Sequence, residues 1–159
     1  MELLTSGQMP MINDKWHRIM HFGSADQKLD FTTVPDVAAY TATVAADPNP
    51  TPTVLRIAGD SFSATDMTAI ATRVRGQKYT PMWMGSVGFL RLLISILKMF
   101  IGGVEDKLLP PWQGMQYLEN MVSGVGILDP LDNDRYPDLV WTTVEKALIE
   151  ADTEKKKQK

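Results

Sequence analysis

The sequence has 159 residues, a formal net charge of −3, 44% hydrophobic residues and 22% charged residues. This length fits one globular domain with a substantial core, and the acidic balance disfavours binding to a nucleic-acid backbone. The chain has no cysteine, which excludes disulfides, thiolate metal sites and a cysteine nucleophile. Residues 1–20 lack the apolar core of a signal peptide, so we expect a cytoplasmic protein.

The first half of the chain predicts strands that alternate with helices. Strands are expected at Lys15–Phe22, Lys28–Thr33 and Thr53–Ala58, where β-branched and aromatic residues lie between turn signals. Helices are expected from Pro35 to Ala46, where proline fits the first turn, and from the Ser63-x-x-Asp66 capping box to Val74. We therefore expect a mixed α/β fold.

The second half predicts one more strand and three helices. Lys78–Met84 reads as a strand, which Pro81 restricts to the edge of a sheet. A helix is expected near Pro111 and should end by Gly124, and Thr142-x-x-Glu145 predicts a capping box for a final helix through about Ala151.

The most apolar segment of the chain is Val87–Val104, which is also the membrane candidate. Arg91 and Lys98 lie within it, and one charge at the centre of a spanning helix costs about 2.5–3.5 kcal/mol. We therefore favour a helix at Val87–Ile101, capped by Ser86 and mostly buried against its own domain or a partner. The polar positions form one narrow stripe, made of Gly88, Arg91, Ser95 and Lys98.

The sequence lacks the residue patterns of two sites, a glycine-rich dinucleotide-binding loop and a catalytic tyrosine–lysine pair. The glycine pattern of a dinucleotide site is missing, and the nearest match, Gly85-Ser86-Val87-Gly88, reads as an ordinary helix cap. No tyrosine is followed four residues later by lysine, since those positions hold Val44, Trp83, Met121 and Val140. A catalytic Tyr–Lys pair is therefore not expected within this chain.

Two other clusters carry a functional and a structural interpretation. His17 and His21 share one face of a helix or strand and could bind a metal, but no third ligand is evident, so we favour surface or edge histidines. Asp129, Asp132 and Asp134 resemble a calcium loop without its glycine and closing glutamate. We expect them to cap the loop, with Arg135 pairing one carboxylate.

The predicted helix after Pro111 is rich in aromatic residues and methionine. Its apolar set consists of Trp112, Met115, Tyr117 and Met121. Core packing is the favoured interpretation. The alternative is a wall of an apolar ligand cleft with Gln113 or Gln116 as polar contacts.

Several segments carry a resemblance to a known family. Pro110–Leu118 (PPWQGMQYL) and Leu128–Pro137 (LDPLDNDRYP) have residue orders that no generic helix or loop requires. They resemble the C-terminal half of NmrA-like proteins, the atypical short-chain dehydrogenase/reductase branch that includes isoflavone-reductase-like enzymes. Met1–Leu4, Lys28–Ala38 and Val54–Asp60 are similar to further segments of that family, in the same order.

The resemblance implies the substrate-binding C-terminal lobe of an NAD(P)-binding Rossmann-type protein, without the glycine-rich nucleotide-binding half. We expect this domain at residues 1–151, followed by a charged, disordered tail at 152–159. Family members place the glycine-rich loop before the point where this chain opens. A split or truncated gene, a start codon assigned too late, and a boundary chosen for expression remain open as explanations.

The function implied is the substrate-side part of an NAD(P)-dependent reductase-like protein, inactive alone and binding no cofactor by itself. The alternative is a non-enzymatic NAD(P)-sensing regulatory or protein-interaction module, so enzymatic activity stays open. Expected partners are the missing Rossmann half or a second copy, and a small-molecule substrate, with no nucleic acid or membrane. The resemblance and the helix pattern give six candidate substrate-lining residues: Met1, Glu2, Trp112, Gln113, Gln116 and Tyr117. No catalytic, cofactor-binding or metal-binding residue is assigned.

Overall fold

The strands form two small sheets. The structure is a computed structural model that describes residues 11–101 and 111–157. Its strands are β1 (Ile12–Asn13), β2 (Arg18–His21), β3 (Leu29–Phe31), β4 (Asp60–Phe62) and β5 (Thr80–Trp83). β2 lies between β1, which is antiparallel to it, and β5, which is parallel to it. β3 and β4 form a separate antiparallel pair.

The described part of the chain contains five α-helices. They are α1 (Val34–Ala46), α2 (Ala64–Arg75), α3 (Val87–Ile101), α4 (Pro111–Val122) and α5 (Val144–Lys157). Together with the two sheets they confirm the predicted mixed α/β fold. No helix in residues 11–101 and 111–157 is long and apolar enough to cross a membrane.

Most predicted boundaries agree with the structure. The strand predicted at Lys78–Met84 is β5, and it lies at a sheet edge as Pro81 requires. The strand predicted at Lys15–Phe22 is shorter, because His17 has a φ of 50° and belongs to the turn before β2. The local capping signals of the first three helices explain their starting points.

Side-chain caps start these three helices. Thr33 accepts a hydrogen bond from the amide of Asp36 (3.1 Å) and caps α1, which begins at Val34, one residue before the predicted start at Pro35. Ser63 and Asp66 form the predicted reciprocal capping box of α2, and Gly76 ends that helix with a φ of 66°. Ser86 Oγ accepts the amide hydrogen of Phe89 (3.1 Å) and caps α3. Each of these caps satisfies an N–H or a carbonyl that the helix itself leaves unpaired.

The capping box predicted for the last helix is wrong. α5 is capped by Thr143, whose Oγ1 accepts the amide hydrogen of Lys146 (3.3 Å). Thr142 instead donates its amide and its hydroxyl to Asp36 (both 3.0 Å). Glu145 pairs with Arg73 through two hydrogen bonds of 2.7 Å. The helix also continues past Ala151 to Lys157, so the segment expected to be disordered is helical that far.

The strand predicted at Thr53–Ala58 is also wrong. This segment is extended, but it pairs with the residues Asp132 and Asn133 instead of a strand, and the amide of Asp132 donates to the carbonyl of Arg56 (2.6 Å). Asp132 accepts the amide hydrogen of Arg56 (2.7 Å), and Asn133 both donates to the carbonyl of Ala58 (2.7 Å) and accepts from its amide (3.2 Å). β4 starts only at Asp60, two residues after the end of the predicted strand.

Three further carboxylates fasten the returning segment 128–144 to the sheet and helix next to it. Asp30 accepts the amide hydrogen of Leu128 (2.7 Å), and Asp60 accepts that of Val144 (2.8 Å). Asp36 holds Thr142 as described above. Because this segment has no regular structure apart from a 3₁₀ turn at Asn133–Arg135, these side chains supply the acceptors that its backbone needs.

The main core draws on both sheets and on α2 to α5. Its most deeply buried side chains are Ile19, Met67, Leu90 and Val144. α1 contributes to a separate aromatic cluster, in which Tyr40 contacts the rings of Tyr136 and Trp141 at 5.3 and 5.8 Å. The core therefore lies between the sheets and the later helices, and the first helix flanks it.

The expectation that α3 is mostly buried fails within this chain. Leu90 and Ile94 are buried in the core. Five other large apolar side chains of the helix are exposed by 41–79%, namely Phe89, Leu92, Ile96, Met99 and Phe100. This face therefore remains without a covering element in the described residues.

A candidate ligand cleft beside helix α4

An open cleft of about 810 Å³ lies between α4, the strand β3 and the segment 126–128. Parts of α1 and of the extended segment before β4 complete its lining. The lining residues are Asp30, Phe31, Thr32, Val37, Ile57, Gln113, Gln116, Tyr117, Glu119, Asn120, Met121, Gly126 and Leu128. The volume is in the range that holds a small organic molecule.

Apolar side chains supply the floor of the cleft. Phe31 is buried and stacks on Phe62, with ring centroids 4.7 Å apart and an interplanar angle of 20°. Met121 is also buried, while Val37 and Ile57 retain exposed surface next to it. Because the core fixes Phe31 and Met121 from behind, the floor is a rigid apolar surface.

One face of α4 supplies the polar rim. Gln113, Gln116 and Tyr117 follow the i, i+3, i+4 spacing that places side chains on one face of a helix. All three side chains are exposed, and Tyr117 is 54% accessible. Within the described residues, no hydrogen bond engages their amides or hydroxyl. These groups are therefore available to a ligand.

The two carboxylates of the cleft have protein partners. Asp30 accepts the amide hydrogen of Leu128 and so positions the segment that closes one side. Glu119 forms an ion pair with Arg91 of α3 at 2.8 Å. None of the described lining residues is a lysine, arginine or histidine. The cleft consequently offers neutral hydrogen-bonding groups over an apolar floor and no cation for an anionic ligand.

Three of the six candidate substrate-lining residues line this cleft, namely Gln113, Gln116 and Tyr117. Trp112 does not, because its ring lies under Lys98, whose Nζ is 4.8 Å from the ring centroid. Met1 and Glu2 lie outside the described residues. That these residues contact a substrate stays a prediction.

Among the other lining residues, sequence reasoning named only Met121 as part of a possible cleft wall. Asp30, Phe31 and Thr32 belong to a segment that was predicted as a strand and noted for its family resemblance, and Ile57 was assigned to a strand. A signal was present in Asp30, which alternates with the two buried residues Leu29 and Phe31. That alternation places Asp30 on the opposite face of β3, although it does not reveal which segment lies there.

Helix α4 contributes both to the core and to the lining of the cleft, and its contact with a ligand stays a prediction. Met121 is buried and Met115 packs against the core. Tyr117 is exposed at the cleft, and Met121 contributes to its floor. Core packing and cleft lining therefore occupy overlapping faces of the same helix.

The prediction of surface or edge histidines is wrong for His21, which lies on the central strand β2 with its Nδ1 buried and without a hydrogen-bond partner among the described residues. His17 makes an edge contact with the ring of Tyr79 at 5.4 Å. Residues 11–101 and 111–157 contain no group of three potential metal ligands. The predicted loop capping is wrong for Asp132, because the 3₁₀ turn that follows it has no side-chain cap and its carboxylate instead accepts the amide hydrogen of Arg56, 76 residues away.

The partner predicted for Arg135 is wrong. Arg135 pairs with Asp47 at 3.0 Å rather than with Asp129, Asp132 or Asp134. The amide of Asn49, the hydroxyl of Tyr136 and Arg135 all donate to Asp47 and hold the pKa of its carboxyl well below the usual range. Asp47 thus joins the end of α1 to the loop.

The nearest glycine match to a phosphate loop does not fit a dinucleotide. Gly85 has a φ of 136°, and a Cβ placed on it would lie 2.6 Å from a ring carbon of Phe89. The turn is thus filled by an aromatic ring, and its serine caps α3. Since a pyrophosphate needs an open glycine turn whose backbone it can approach, these residues do not form such a site.

The overall fold is similar to that in a crystal structure of isoflavone reductase. The TM-score is 0.60 at 18% sequence identity, and the match covers 84% of this chain and 43% of that chain. This chain thus spans less than half of that protein's length. At this identity the likeness shows the fold alone. No protein-family description and no curated protein matches the sequence.

Proposed function

We propose that this chain is the C-terminal, substrate-side part of an NmrA-like, NAD(P)-dependent reductase-like protein. In this proposal the cleft beside α4 is one wall of a substrate site, and a nucleotide-binding Rossmann lobe supplies the other wall and the cofactor. The isolated chain then binds no NAD(P) and transfers no hydride. The observation that carries the proposal is the fold match to isoflavone reductase over 84% of this chain but only 43% of that one.

The cleft supports the same function, because its composition is that of a small-molecule site. An apolar floor around Phe31 and Met121 stands next to the neutral rim of Gln113, Gln116 and Tyr117. Glycine turns suited to pyrophosphate are lacking in the described residues, as the filled turn at Gly85 illustrates. The chain's own contribution is thus to bind and orient a substrate, not to hold the cofactor.

The charge pattern of the cleft favours a neutral substrate. Its carboxylates are engaged by Leu128 and Arg91, and its described lining has no cation. An anionic ligand would lose its hydration without gaining a counter-charge, which is unfavourable in a partly enclosed site. A flat apolar molecule with hydroxyl or carbonyl groups can use both the floor and the amides of the rim.

A matched pair of probes tests the cleft. The full chain is titrated with 2-naphthol and with 2-naphthoate, and binding is followed by tryptophan fluorescence and by NMR line broadening. We expect saturable binding of the neutral probe only, and a loss of roughly tenfold or less in Gln116→Ala, since one hydrogen bond is removed. Gln77→Ala, at an exposed glutamine outside the cleft, is the control. Equal binding of both probes, or of neither, would contradict the neutral-substrate part of the proposal.

Titration with the cofactor tests the proposal that another lobe, and not this chain, binds NAD(P). The full 159-residue chain is titrated with NADPH and followed by the nicotinamide fluorescence. The expected result is no saturable binding, and micromolar affinity would refute the proposal that another lobe carries the cofactor. The DNA upstream of the first codon provides a second test. An in-frame glycine-rich unit, or a neighbouring gene for a Rossmann protein, would supply the lobe for co-expression with this chain. Hydride transfer should then appear only in the mixture.

The alternative function is a non-enzymatic module that senses NAD(P) or binds another protein. The exposed apolar face of α3 is the observation that favours it, since such surfaces mark interaction sites. A complex with a Rossmann lobe that binds NADPH but oxidises none of it in the presence of neutral carbonyl substrates would support this alternative over the reductase.

A further inference from the structure

We propose that α3 mediates dimerisation, pairing with the same helix of a second copy through an apolar seam. The α3 seam consists of Phe89, Leu92, Ile96, Met99 and Phe100. It goes beyond the substrate-side function, because the pairing requires neither substrate nor cofactor and uses none of the residues that line the cleft.

The spacing of the seam is that of a helix–helix contact. Phe89, Leu92, Ile96 and Met99 follow each other at steps of three, four and three residues, and Phe100 follows Ile96 by four. This is the a/d spacing that places apolar side chains along one line of a helix facing another helix. A helix packed against a sheet or a core buries a broader stripe, and in α3 the core-facing residues Leu90 and Ile94 already provide that contact.

The side of α3 that carries its two cations contacts α4, although both of these side chains remain exposed. Arg91 pairs with Glu119, and Lys98 lies over the ring of Trp112, so both cations face α4. Their engagement leaves the seam uncharged, flanked by the exposed small residues Gly88 and Ser95. Two copies can therefore approach closely without bringing like charges together, which is the condition for self-pairing.

The exposed area agrees with what a dimer needs. The five seam side chains are accessible by 41–79%, which at about 150–200 Å² for a fully exposed side chain gives on the order of 500 Å². In a twofold arrangement each copy contributes the same patch, so the pair removes roughly 1,000 Å² of apolar surface from water, the lower bound for a specific interface. A second copy matches this surface in area, charge and spacing.

The Rossmann lobe of the proposed function and a lipid surface are competing occupants of the seam, and a monomer at every concentration would favour them over a second copy. An interfacial helix that binds membranes carries lysine and arginine free to meet lipid headgroups. In α3 both cations are exposed, but each contacts α4 and none belongs to the seam itself, so the observations favour the protein partner.

Sedimentation velocity of the full chain over a concentration series tests the proposal. We expect a reversible monomer–dimer equilibrium. Leu92→Glu and Ile96→Glu should each weaken it by roughly tenfold or more, because a carboxylate buried in an apolar contact has no partner. Val140→Glu makes the same change at an 86% exposed side chain outside α3 and should not alter the equilibrium. Circular dichroism confirms that each variant is folded.

Cross-linking gives a second readout that does not depend on weakening the contact. Because the chain has no cysteine, Leu92→Cys and Ile96→Cys report only on the seam, and Val140→Cys is the matched control. If the helices pair in parallel, each seam variant alone should form a covalent dimer. If they pair antiparallel, the covalent dimer should form when Leu92→Cys and Ile96→Cys are mixed. The control should form none. A monomer at every concentration, an open series of larger species, or monomers that bind neutral lipid vesicles through the seam would overturn the proposal.

Discussion

Asp36 and Thr142 are 106 residues apart in the chain and form two hydrogen bonds. The amide of Thr142 donates to Oδ2 of Asp36, its hydroxyl donates to Oδ1, and both distances are 3.0 Å. Asp36 is buried in the first turn of α1, where a carboxylate is also favoured by the helix dipole. This contact fixes where the long loop ends and α5 can begin.

We expect Asp36→Ala to reduce the free energy of unfolding by about 1.5–3 kcal/mol, because the amide of Thr142 loses a charged acceptor in a partly buried place. Asp134→Ala removes an exposed carboxylate from the same loop and should change stability by less than about 0.5 kcal/mol. Urea denaturation of both variants measures the difference. Equal stability of the two would show that the Asp36 contact contributes nothing.

The hydrogen bonds of Asn133 and Asp132 predict which of two nearly isosteric variants destabilises the protein more. The amide group of Asn133 both donates to and accepts from the backbone of Ala58, so Asn133→Asp removes the donor and brings a carboxylate next to the carbonyl. A loss of about 1–3 kcal/mol is expected. Asp132→Asn keeps an acceptor for the amide of Arg56 and should lose less. Thermal and urea unfolding of the two nearly isosteric variants give the order, and the reverse order would be inconsistent with this geometry.

Gly85 and Gly114 should respond in opposite directions to the same change. Gly85→Ala is expected to destabilise the protein by about 2–4 kcal/mol, from strain at positive φ and from overlap with Phe89. Gly114→Ala lies within α4 with nothing within 4 Å of the new Cβ, and should stabilise it by about 0.5–1 kcal/mol. Melting temperatures that move in the same direction for both would contradict the described backbone.

Asp66 should make the free energy of unfolding depend on pH in the acidic range. Hydrogen bonds from Lys28, and then from the amide and hydroxyl of Ser63, lower the pKa of Asp66 from 3.8 to about 2. As the pH falls, the unfolded chain takes up this proton first. The contribution is therefore complete above about pH 4 and is lost as the pH decreases towards 2. Its size is reduced by screening, because the Asp66 side chain is 42% exposed.

Asp66→Asn should flatten the stability profile between pH 4 and 2, and Lys28→Met should flatten it in part by removing the largest cause of the pKa shift. Chemical denaturation at a series of pH values measures both. A wild-type profile that keeps its slope after Asp66→Asn would assign the acid sensitivity to other carboxylates.

Local signals in the sequence determined much of the fold. Ser63 and Asp66, Ser86, and Gly76 each act on neighbouring backbone groups, so their caps could be read directly from the chain. Pro81 placed β5 at an edge for a similar local reason. Such interactions span only a few residues, and the pattern contains both partners.

The errors arose where the partner is distant. Thr142 has the local sequence of a helix cap, but its amide and its hydroxyl both donate to Asp36 instead. Val54–Ile57 has the composition of a strand, yet in the described residues it pairs with no strand. Arg56 exchanges hydrogen bonds with the backbone and side chain of Asp132, 76 residues later, and Ile57 accepts one from the hydroxyl of Thr32. The cleft shows the same limit, because the face of α4 follows from its spacing, whereas Asp30 and Ile57 reach it only through tertiary packing.

The carboxylate anchors at Asp30, Asp36 and Asp60 have a consequence for changes in loop length. They fasten the returning segment at the separate points Leu128, Thr142 and Val144. Residues inserted between the first two points can bulge outwards while every anchor stays in place. A deletion between Thr142 and Val144 would draw an amide away from its acceptor, so natural or engineered variants of this chain should differ in length before Thr142 and keep the spacing after it.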